Sequence, residues 1–261
     1  MNNYKNVFIN SVFSLGITAV LLSSCGEEKK EEFDGNISIS GELNHIPEGE
    51  VILSVYETDK VTVLDTLQVG NDGSFNYELA IDSPNFYDLD LYGEKTIRLA
   101  LNQEDVHIKY DFESEELAVE GSKDSQLLFK IDELTAEYQE ETNALNSDFY
   151  EAMTAKDQDK VQEIRAQAVE MGINHAESIK GVIVDAEGSF ASLAGLGMLD
   201  PGKEFNFMDS VVVALGEKYP DMKLISSWRQ ELNEMRALSI GQPAPEISLP
   251  NPEGEILGRL V

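Results

Sequence analysis

The amino-acid sequence predicts an α+β protein, in which an antiparallel β-sandwich is followed by a helical region and a short extended segment. Residues 34–121 contain eight short apolar segments, several of them alternating apolar and polar residues, with turn-forming residues between them. This pattern is typical of an antiparallel sandwich. Residues 122–238 instead place apolar residues three, four or seven positions apart with charged residues between, as amphipathic helices do. Because strands and helices do not alternate along the chain, we expect no parallel βαβ sheet.

The strands are predicted from this period of two and from the turns that bound them. The run Gly70–Gly73 ends in Asp-Gly, a pair that favours the positive φ of a tight hairpin. Directly after it, Phe75 to Ile81 alternates apolar and polar residues, which indicates a half-buried strand. The eight predicted strands are Asn36–Leu43, Val51–Tyr56, Val61–Val69, Phe75–Ile81, Phe86–Leu91, Ile97–Leu101, Val106–Tyr110 and Leu117–Glu120.

Two long helices and three shorter ones are predicted after the strands. Ser122 and Asp124 supply a cap and a negative charge where the first helix should begin, and Asp157 caps or restarts the second. Because the heptads are few and imperfect, we favour an antiparallel bundle over a coiled-coil seam. The shorter helices are predicted at 189–199, 205–219 and 224–238, separated by Pro201 and Pro220.

The N-terminal residues contain a basic residue, an apolar stretch and a cluster of small residues that ends in cysteine. Lys5 precedes Val7–Leu22, which spans about 24 Å as a helix, less than the roughly 30 Å core of a bilayer. The following run Ser23-Ser24-Cys25 resembles the lipobox of bacterial lipoproteins. That resemblance implies signal cleavage between Ser24 and Cys25 and a lipid on Cys25. The alternative is an uncleaved anchor helix with an incidental cysteine.

The charge and the cysteine content exclude several functions. With 49 acidic and 19 basic residues the chain has a formal net charge of −30, so we expect no nucleic-acid partner. Residues 26–32 are almost all charged and read as a solvated tether. Cys25 is the only cysteine, so no disulfide can form within one chain. We expect the lipid bilayer as a partner through Cys25, and an envelope protein as a further one.

These features predict a location in the cell envelope. We expect the lipid-anchored protein on the outer membrane, facing the periplasm. The cell surface is the alternative, because a charged, acidic run after the lipidated cysteine resembles a surface-export signal of some Gram-negative lipoproteins. The predicted parts are a signal peptide at 1–24, a tether at 25–33, a β domain at 34–121, a helical region at 122–238 and a last segment at 239–261.

The last segment is rich in proline and glycine and cannot be helical. It resembles the opening of thioredoxin-like domains of the TlpA/ResA and AhpC/TSA type, in which a glycine and Ala-Pro precede an apolar strand and an Asn-x-x-Gly hairpin. The residues that carry this resemblance are Gly241, Pro243, Ala244, Pro245, Ile247, Leu249, Asn251 and Gly254. The β domain in turn resembles a domain of unknown function that often precedes such thioredoxin domains, through Leu64-Asp65-Thr66, Gly73-Ser74-Phe75, Phe86-Tyr87 and Gly121-Ser122.

The resemblance implies thiol-disulfide exchange at a Trp-Cys-x-x-Cys motif, which this sequence does not contain. We therefore expect no enzyme activity from the chain as given and read residues 239–261 as an incomplete thioredoxin-like start, left by a truncation, a frameshift or a gene-model end. The expected function is that of a membrane-anchored envelope lipoprotein, the non-catalytic N-terminal portion of an oxidoreductase-like protein. The alternative is a stand-alone envelope module that binds a protein, peptide or glycan.

Other side chains give no catalytic or metal site by sequence. His45, His107 and His175 lie far apart and have no second ligand at metal spacing, so no metal or other cofactor is expected. Asp88 and Asp90 share one strand face; they could bind calcium or act as acid and base, but a solvated face explains them more simply. The segment around Ser189 and Ser192 is not a Gly-x-Ser-x-Gly elbow, so no hydrolase is supported.

Overall fold

The structure is a computed structural model that describes residues 33–57, 60–236, 249–250 and 256–257. From Phe33 onward the chain forms one compact unit. The strands that precede the helices are β1 (Asn36–Asn44), β2 (Val51–Tyr56), β3 (Val61–Leu67), β4 (Ser74–Ala80), β5 (Asn85–Leu91), β6 (Lys95–Leu101), β7 (Val106–Asp111) and β8 (Leu117–Gly121). Each of the eight predicted strands is confirmed, with ends that move by one or two residues.

The strands form two four-stranded sheets, with the orders β4-β1-β7-β8 and β3-β2-β5-β6. The predicted α+β class is confirmed, and the sheets are antiparallel with one exception. Strands β1 and β7 pair in parallel, with Ile39 opposite Val106. This pair brings together residues far apart in the sequence, a pairing that local alternation does not predict. Two strands joined by a hairpin can pair only antiparallel. In the sequence, however, β2 to β6 lie between β1 and β7, and this long connection lets the chain return in the same direction.

The inner faces of the two sheets enclose the first apolar core. The alternation seen in the sequence places Ile39, Leu53, Leu89, Leu99 and Ile108 there, all fully buried. Burying a side chain of this size stabilises the fold by about 1.5–3 kcal/mol. The tight turn before β4 is closed by a backbone hydrogen bond from Gly73 to Gly70 of 2.9 Å.

Five helices follow: α1 (Lys123–Ala155), α2 (Gln158–Asp185), α3 (Ser192–Leu196), α4 (Pro201–Lys218) and α5 (Lys223–Arg236). Both predicted caps are confirmed, since Ser122 accepts a hydrogen bond from the Ser125 amide at 3.2 Å and Asp157 accepts one from the Lys160 amide at 3.0 Å. Pro201 follows α3, as predicted, but the next helix begins at this proline and not at Phe205. It is the first residue of α4, a position where the missing amide hydrogen and fixed φ of proline cost nothing.

Helix α1 attaches to the sheets at its first turn. The Ser125 hydroxyl donates to the Ala100 carbonyl at 2.8 Å, and the Ala100 amide donates back to the same hydroxyl at 3.2 Å. Both residues are fully buried, and Ala100 lies on β6, an edge strand of its sheet. The Ser125 hydroxyl therefore satisfies the Ala100 amide and carbonyl at the edge of the sheet, as a neighbouring strand would. An ion pair between Arg98 and Asp132 adds a second attachment of β6 to α1.

A second apolar core lies among the helices and against the sheet. Its centre is Phe190, fully buried and tilted against Phe86 of β5 at a ring distance of 5.2 Å. Other fully buried members are Leu128, Ile131, Ile179, Ala191 and Leu196.

Helices α1 and α2 form an antiparallel hairpin that continues beyond this second core. We call its outer part, residues 137–175, the arm. Near the arm's end, a small separate cluster buries Ala152, Val161 and Ile164. With 33 residues, α1 is about 50 Å long. The hairpin thus has one large apolar cluster at its base and a small one near its end.

Two short strands, β9 (Leu249–Pro250) and β10 (Ile256–Leu257), pair antiparallel. They lie where the sequence predicts an extended segment with a hairpin. The turn predicted between them, at Asn251 and Gly254, lies outside the described residues.

Candidate functional site

The residues predicted to carry the anchor and the thioredoxin-like start are not among those that the structure describes. This holds for the cleavage pair Ser24 and Cys25 and for the later motif Gly241, Pro243, Ala244, Pro245 and Gly254. Their roles stay predictions. The candidate site is therefore sought among the side chains of the sheets and helices.

The three histidines lie in separate places, each with its own contacts. His45 bonds Asp111 through Nδ1 at 2.9 Å, and this hydrogen bond raises the pKa of His45. His107 Nδ1 lies 3.0 Å from the Ser40 hydroxyl. His175 stacks on another ring in the arm. Among the described residues no three His, Cys, Asp or Glu side chains are arranged to hold a metal ion.

The aspartates of β5 occupy the outer face of their sheet, as predicted, but both are partly buried. Asp88 Oδ2 accepts a hydrogen bond from the Tyr56 hydroxyl at 2.8 Å. Burial, together with this bond, raises the pKa of Tyr56. Asp90 Oδ1 accepts from the Gly93 amide at 2.7 Å and so shapes the β5–β6 turn. These carboxylates have structural partners and do not form a paired acid and base.

A polar cluster that sequence reasoning missed lies where the helices meet the β6–β7 loop. The Ser189 hydroxyl donates to Asp124 in the first turn of α1. Lys218, at the end of α4, donates to the Gly188 carbonyl at 2.9 Å. Burial raises the pKa of Asp124, Glu104 adds to the rise, and the Ser189 hydrogen bond opposes it. From the sequence, Asp124 could be predicted only as the negative charge at the start of a helix. Its role in the cluster could not be predicted, because its partners come from distant segments.

The side chains of this cluster hold separate segments together and do not form a catalytic nucleophile. We call the cluster the joint. The Ser189 hydroxyl is buried and also accepts from the Ala191 amide at 3.1 Å. A serine nucleophile needs a free base and access to substrate, and here the carboxylate bonded to Ser189 is one whose protonated form is favoured by burial. Burial likewise raises the pKa of Tyr219 to about 12. The cluster therefore ties the sheet side of the molecule to the helices.

An open groove lies along one side of the arm, with a volume of about 420 Å³. In its wall, Tyr138 of α1 and His175 of α2 stack with their ring centres 4.3 Å apart and their planes 9° apart. Burial lowers the pKa of His175. The other lining residues are Leu134, Glu137, Glu141, Gln167, Glu170, Met171, Asn174 and Ser178. Sequence reasoning placed Leu134, Tyr138 and Met171 on the apolar faces of two amphipathic helices and did not find the groove, since it exists only once the two helices are paired.

A family model described as a domain of unknown function, DUF4369, matches residues 37–128. This part of the chain is a DUF4369 domain. Apart from Asn36 at the start of β1, the DUF4369 match includes the eight strands of the two sheets and the first turn of α1, where Ser125 completes the edge of β6. Comparison with curated proteins and with solved structures gives no match for the chain. Within the described ranges, no helix has the length and apolarity that a membrane span requires.

The joint between the DUF4369 domain and the helices predicts a pH effect on stability. Because the folded pKa of Asp124 is raised above its unfolded value near 4, the folded state holds the proton more tightly there. The contribution of Asp124 to the free energy of unfolding is therefore full below about pH 4, and it falls as the pH rises through the pKa of Asp124 in the folded state. Asp124→Asn removes this loss, so the variant should gain stability relative to the native chain as the pH is raised from about 4 to 7.

Urea unfolding of both proteins at several pH values measures this difference. Glu217→Gln, at an exposed position on α4, is the matched control and should show no such trend. If the Asp124→Asn chain instead loses stability relative to the native one over the same range, the raised pKa is refuted.

Proposed function

We propose that the chain is a membrane-anchored lipoprotein of the bacterial cell envelope, whose folded part is a non-catalytic module. The observation that carries the proposal is the run Leu21-Leu22-Ser23-Ser24-Cys25, which places the sole cysteine after an apolar stretch and small residues. A lipid on that thiol would leave no free thiol on the chain. Disulfide exchange by the usual route needs a thiolate and a resolving thiol, so the proposal assigns no such activity to this chain.

The charge of the protein makes lipid the effective attachment. A net charge of −30 opposes binding to an anionic membrane surface. One acyl chain holds a protein only marginally, whereas two or more hold it stably. The diacylglycerol and N-acyl groups that the resemblance implies for Cys25 would supply that number. The residues from Gly26 to Glu32 would act as the tether, which ends shortly before β1 begins at Asn36.

Replacement of the cysteine tests the anchor. The Cys25→Ser protein should move from the membrane fraction to the soluble fraction, because no thioether can form. Ser24→Ala keeps a small residue before the cysteine and should remain in the membrane fraction. Cell fractionation with immunoblotting gives the distribution, and mass spectrometry of the native N-terminal peptide should show a lipidated cysteine. A Cys25→Ser protein that stays membrane-bound, or an unmodified native Cys25, contradicts the proposal.

We offer two roles for the folded part. In the first, suggested by the resemblance to TlpA/ResA-like proteins, it positions a redox domain near the membrane. In the second it is a binding module in its own right. The arm favours the second role, because it extends beyond the main helical core and its two helices line an open groove of about 420 Å³.

A further inference from the structure

We propose that the groove along the arm binds a short basic segment of a partner protein, with a lysine or arginine side chain held against Tyr138 and His175. This inference rests on the binding role proposed above and is independent of the lipid on Cys25. It places the binding role in the groove along the arm and identifies a basic side chain as the group that is bound.

The groove follows from how the two helices pair in the middle of the hairpin. Residues 138 and 141 on α1, and 167, 171, 174 and 178 on α2, are three or four positions apart and so lie along one side of each helix. Gly172 lies on α2 between the large apolar cluster at the base of the hairpin and the small cluster near its end. At this position the helix has no side chain to fill the space. A β-carbon built on Gly172 would lie 3.6 Å from the Tyr138 hydroxyl, so this hydroxyl lies close to α2 at a position that has no side chain. The space beside this contact is the groove.

The charge of the groove is negative and not compensated. Glu137, Glu141 and Glu170 line it, and no lysine or arginine does. None of the three forms a salt bridge with a described residue, although other glutamates of the same helices do. These other glutamates, with their lysines, are Glu133 with Lys130, Glu163 with Lys160 and Glu177 with Lys180. Basic residues are thus available on α1 and α2, yet the groove keeps three carboxylates without one. A cation placed among them would relieve their mutual repulsion.

The stacked rings add a surface suited to the same cation. An aromatic face attracts a guanidinium or ammonium group, and tyrosine is among the better rings for this. Burial lowers the pKa of His175, which favours the neutral ring and so reduces its repulsion of a bound cation. The two rings cover one face of each other, so a planar guanidinium would lie on an outer face of the stack, with the carboxylates of the same groove as acceptors for its donors.

The rest of the lining fits a peptide better than a small free cation. Leu134 and Met171 give an apolar surface for the alkyl stem of lysine or arginine, and methionine adapts to different shapes. The Asn174 amide and the Ser178 hydroxyl lie in the same wall and can donate to or accept from a peptide backbone. The groove is open, so a chain can enter and leave along it without any part of the protein moving.

The test measures binding of a labelled, capped peptide with the sequence Ala-Arg-Ala-Arg-Ala to the full chain in detergent, by fluorescence anisotropy. The native protein should bind it and should not bind the same peptide with citrulline in place of arginine. The triple variant Glu137→Gln, Glu141→Gln, Glu170→Gln should bind about tenfold more weakly, because three exposed carboxylates no longer attract the two guanidinium groups of the peptide. The variant Tyr138→Leu, which keeps apolar volume but removes the aromatic face, should also bind more weakly.

The matched control is Glu151→Gln, Glu217→Gln, Glu231→Gln, which changes the net charge equally at exposed positions outside the groove lining. It should change the affinity by no more than about twofold, since screened charges at a distance contribute little. Equal weakening in both triple variants, no binding to the native chain, or full competition by equimolar spermidine would overturn the proposal. Peptide binding that persists in Cys25→Ser, whether or not that variant leaves the membrane, separates the groove from the anchor.

Discussion

Phe190→Ala is expected to lower the free energy of unfolding by about 3–5 kcal/mol, the usual range for removing a buried phenylalanine. The Phe190 side chain is fully buried at the centre of the second core. It packs against Phe86 of the sheet at 5.2 Å and against Tyr219, next to α4, at 6.0 Å between ring centres. Alanine would leave a cavity between three segments that no single local shift can close. The loss should therefore weaken the attachment of the helices to the DUF4369 domain.

Urea unfolding of the full chain, followed by tryptophan fluorescence and by circular dichroism, measures this loss. Trp228 lies among the helices and packs against the same core, so it reports on them directly. Tyr150→Ala removes an aromatic ring that is 70% exposed and should change stability by no more than about 0.5 kcal/mol. If Phe190→Ala proves as mild as this control, Phe190 does not join sheet and helices as the packing indicates.

Gly73→Ala is expected to cost about 3 kcal/mol, through two separate effects. Gly73 has a φ of +81°, a conformation that costs a residue with a β-carbon about 1–2 kcal/mol. In addition, its β-carbon would overlap the carbonyl oxygen of Leu43 in β1, a backbone atom held in the sheet. Overpacking of this kind costs about 1–3 kcal/mol more. The turn also holds a hydrogen bond from the Leu43 amide to the Gly73 carbonyl, 2.9 Å long, which the shift would strain.

Gly93→Ala is the matched control for the second effect. Gly93 has a similar φ of +73°, but nothing lies within 4 Å of a β-carbon built there. This variant should lose only the conformational part, about 1–2 kcal/mol. The difference between the two variants, taken from denaturant midpoints with unchanged slopes, then measures the overlap with Leu43. Equal losses in the two proteins would show that the overlap relaxes at no cost.

Much of the fold could be predicted because its signals are local. The alternation in Phe75 to Ile81 and the Asp-Gly before it define a strand and its turn from a few neighbouring residues. Ser122 and Asp157 mark helix starts in the same way, through hydrogen bonds to amides three residues ahead. The prediction fails where the deciding partner is distant: the parallel pairing of β1 with β7, the Asp124–Ser189 bond, and the groove between α1 and α2.

Misread helix boundaries have a different cause. The segment 189–199 was predicted as one helix, but only Ser192–Leu196 is α-helical. Ser189 is taken by Asp124 and by the Ala191 amide, so its side chain shapes a turn. Pro201 marks a helix start here, whereas a proline between two apolar stretches is equally consistent with a break. The choice depends on the Asp200 side chain, which accepts from the Gly202 amide at 2.9 Å and so fixes the first turn.

The central position of β1 sets the order in which the protein can fold as it is made. β1 is the first strand to be synthesised, yet one of its two neighbours is β7, whose paired residues lie 67 positions later in the sequence. At about 5–20 residues per second, a new chain waits several seconds before that neighbour exists. During that time, of its two neighbours in the finished sheet, β1 can pair only with β4, and Ile39 lacks Val106, its partner in β7. The nascent chain therefore passes through a stage with an open strand edge, which is prone to pair with other chains.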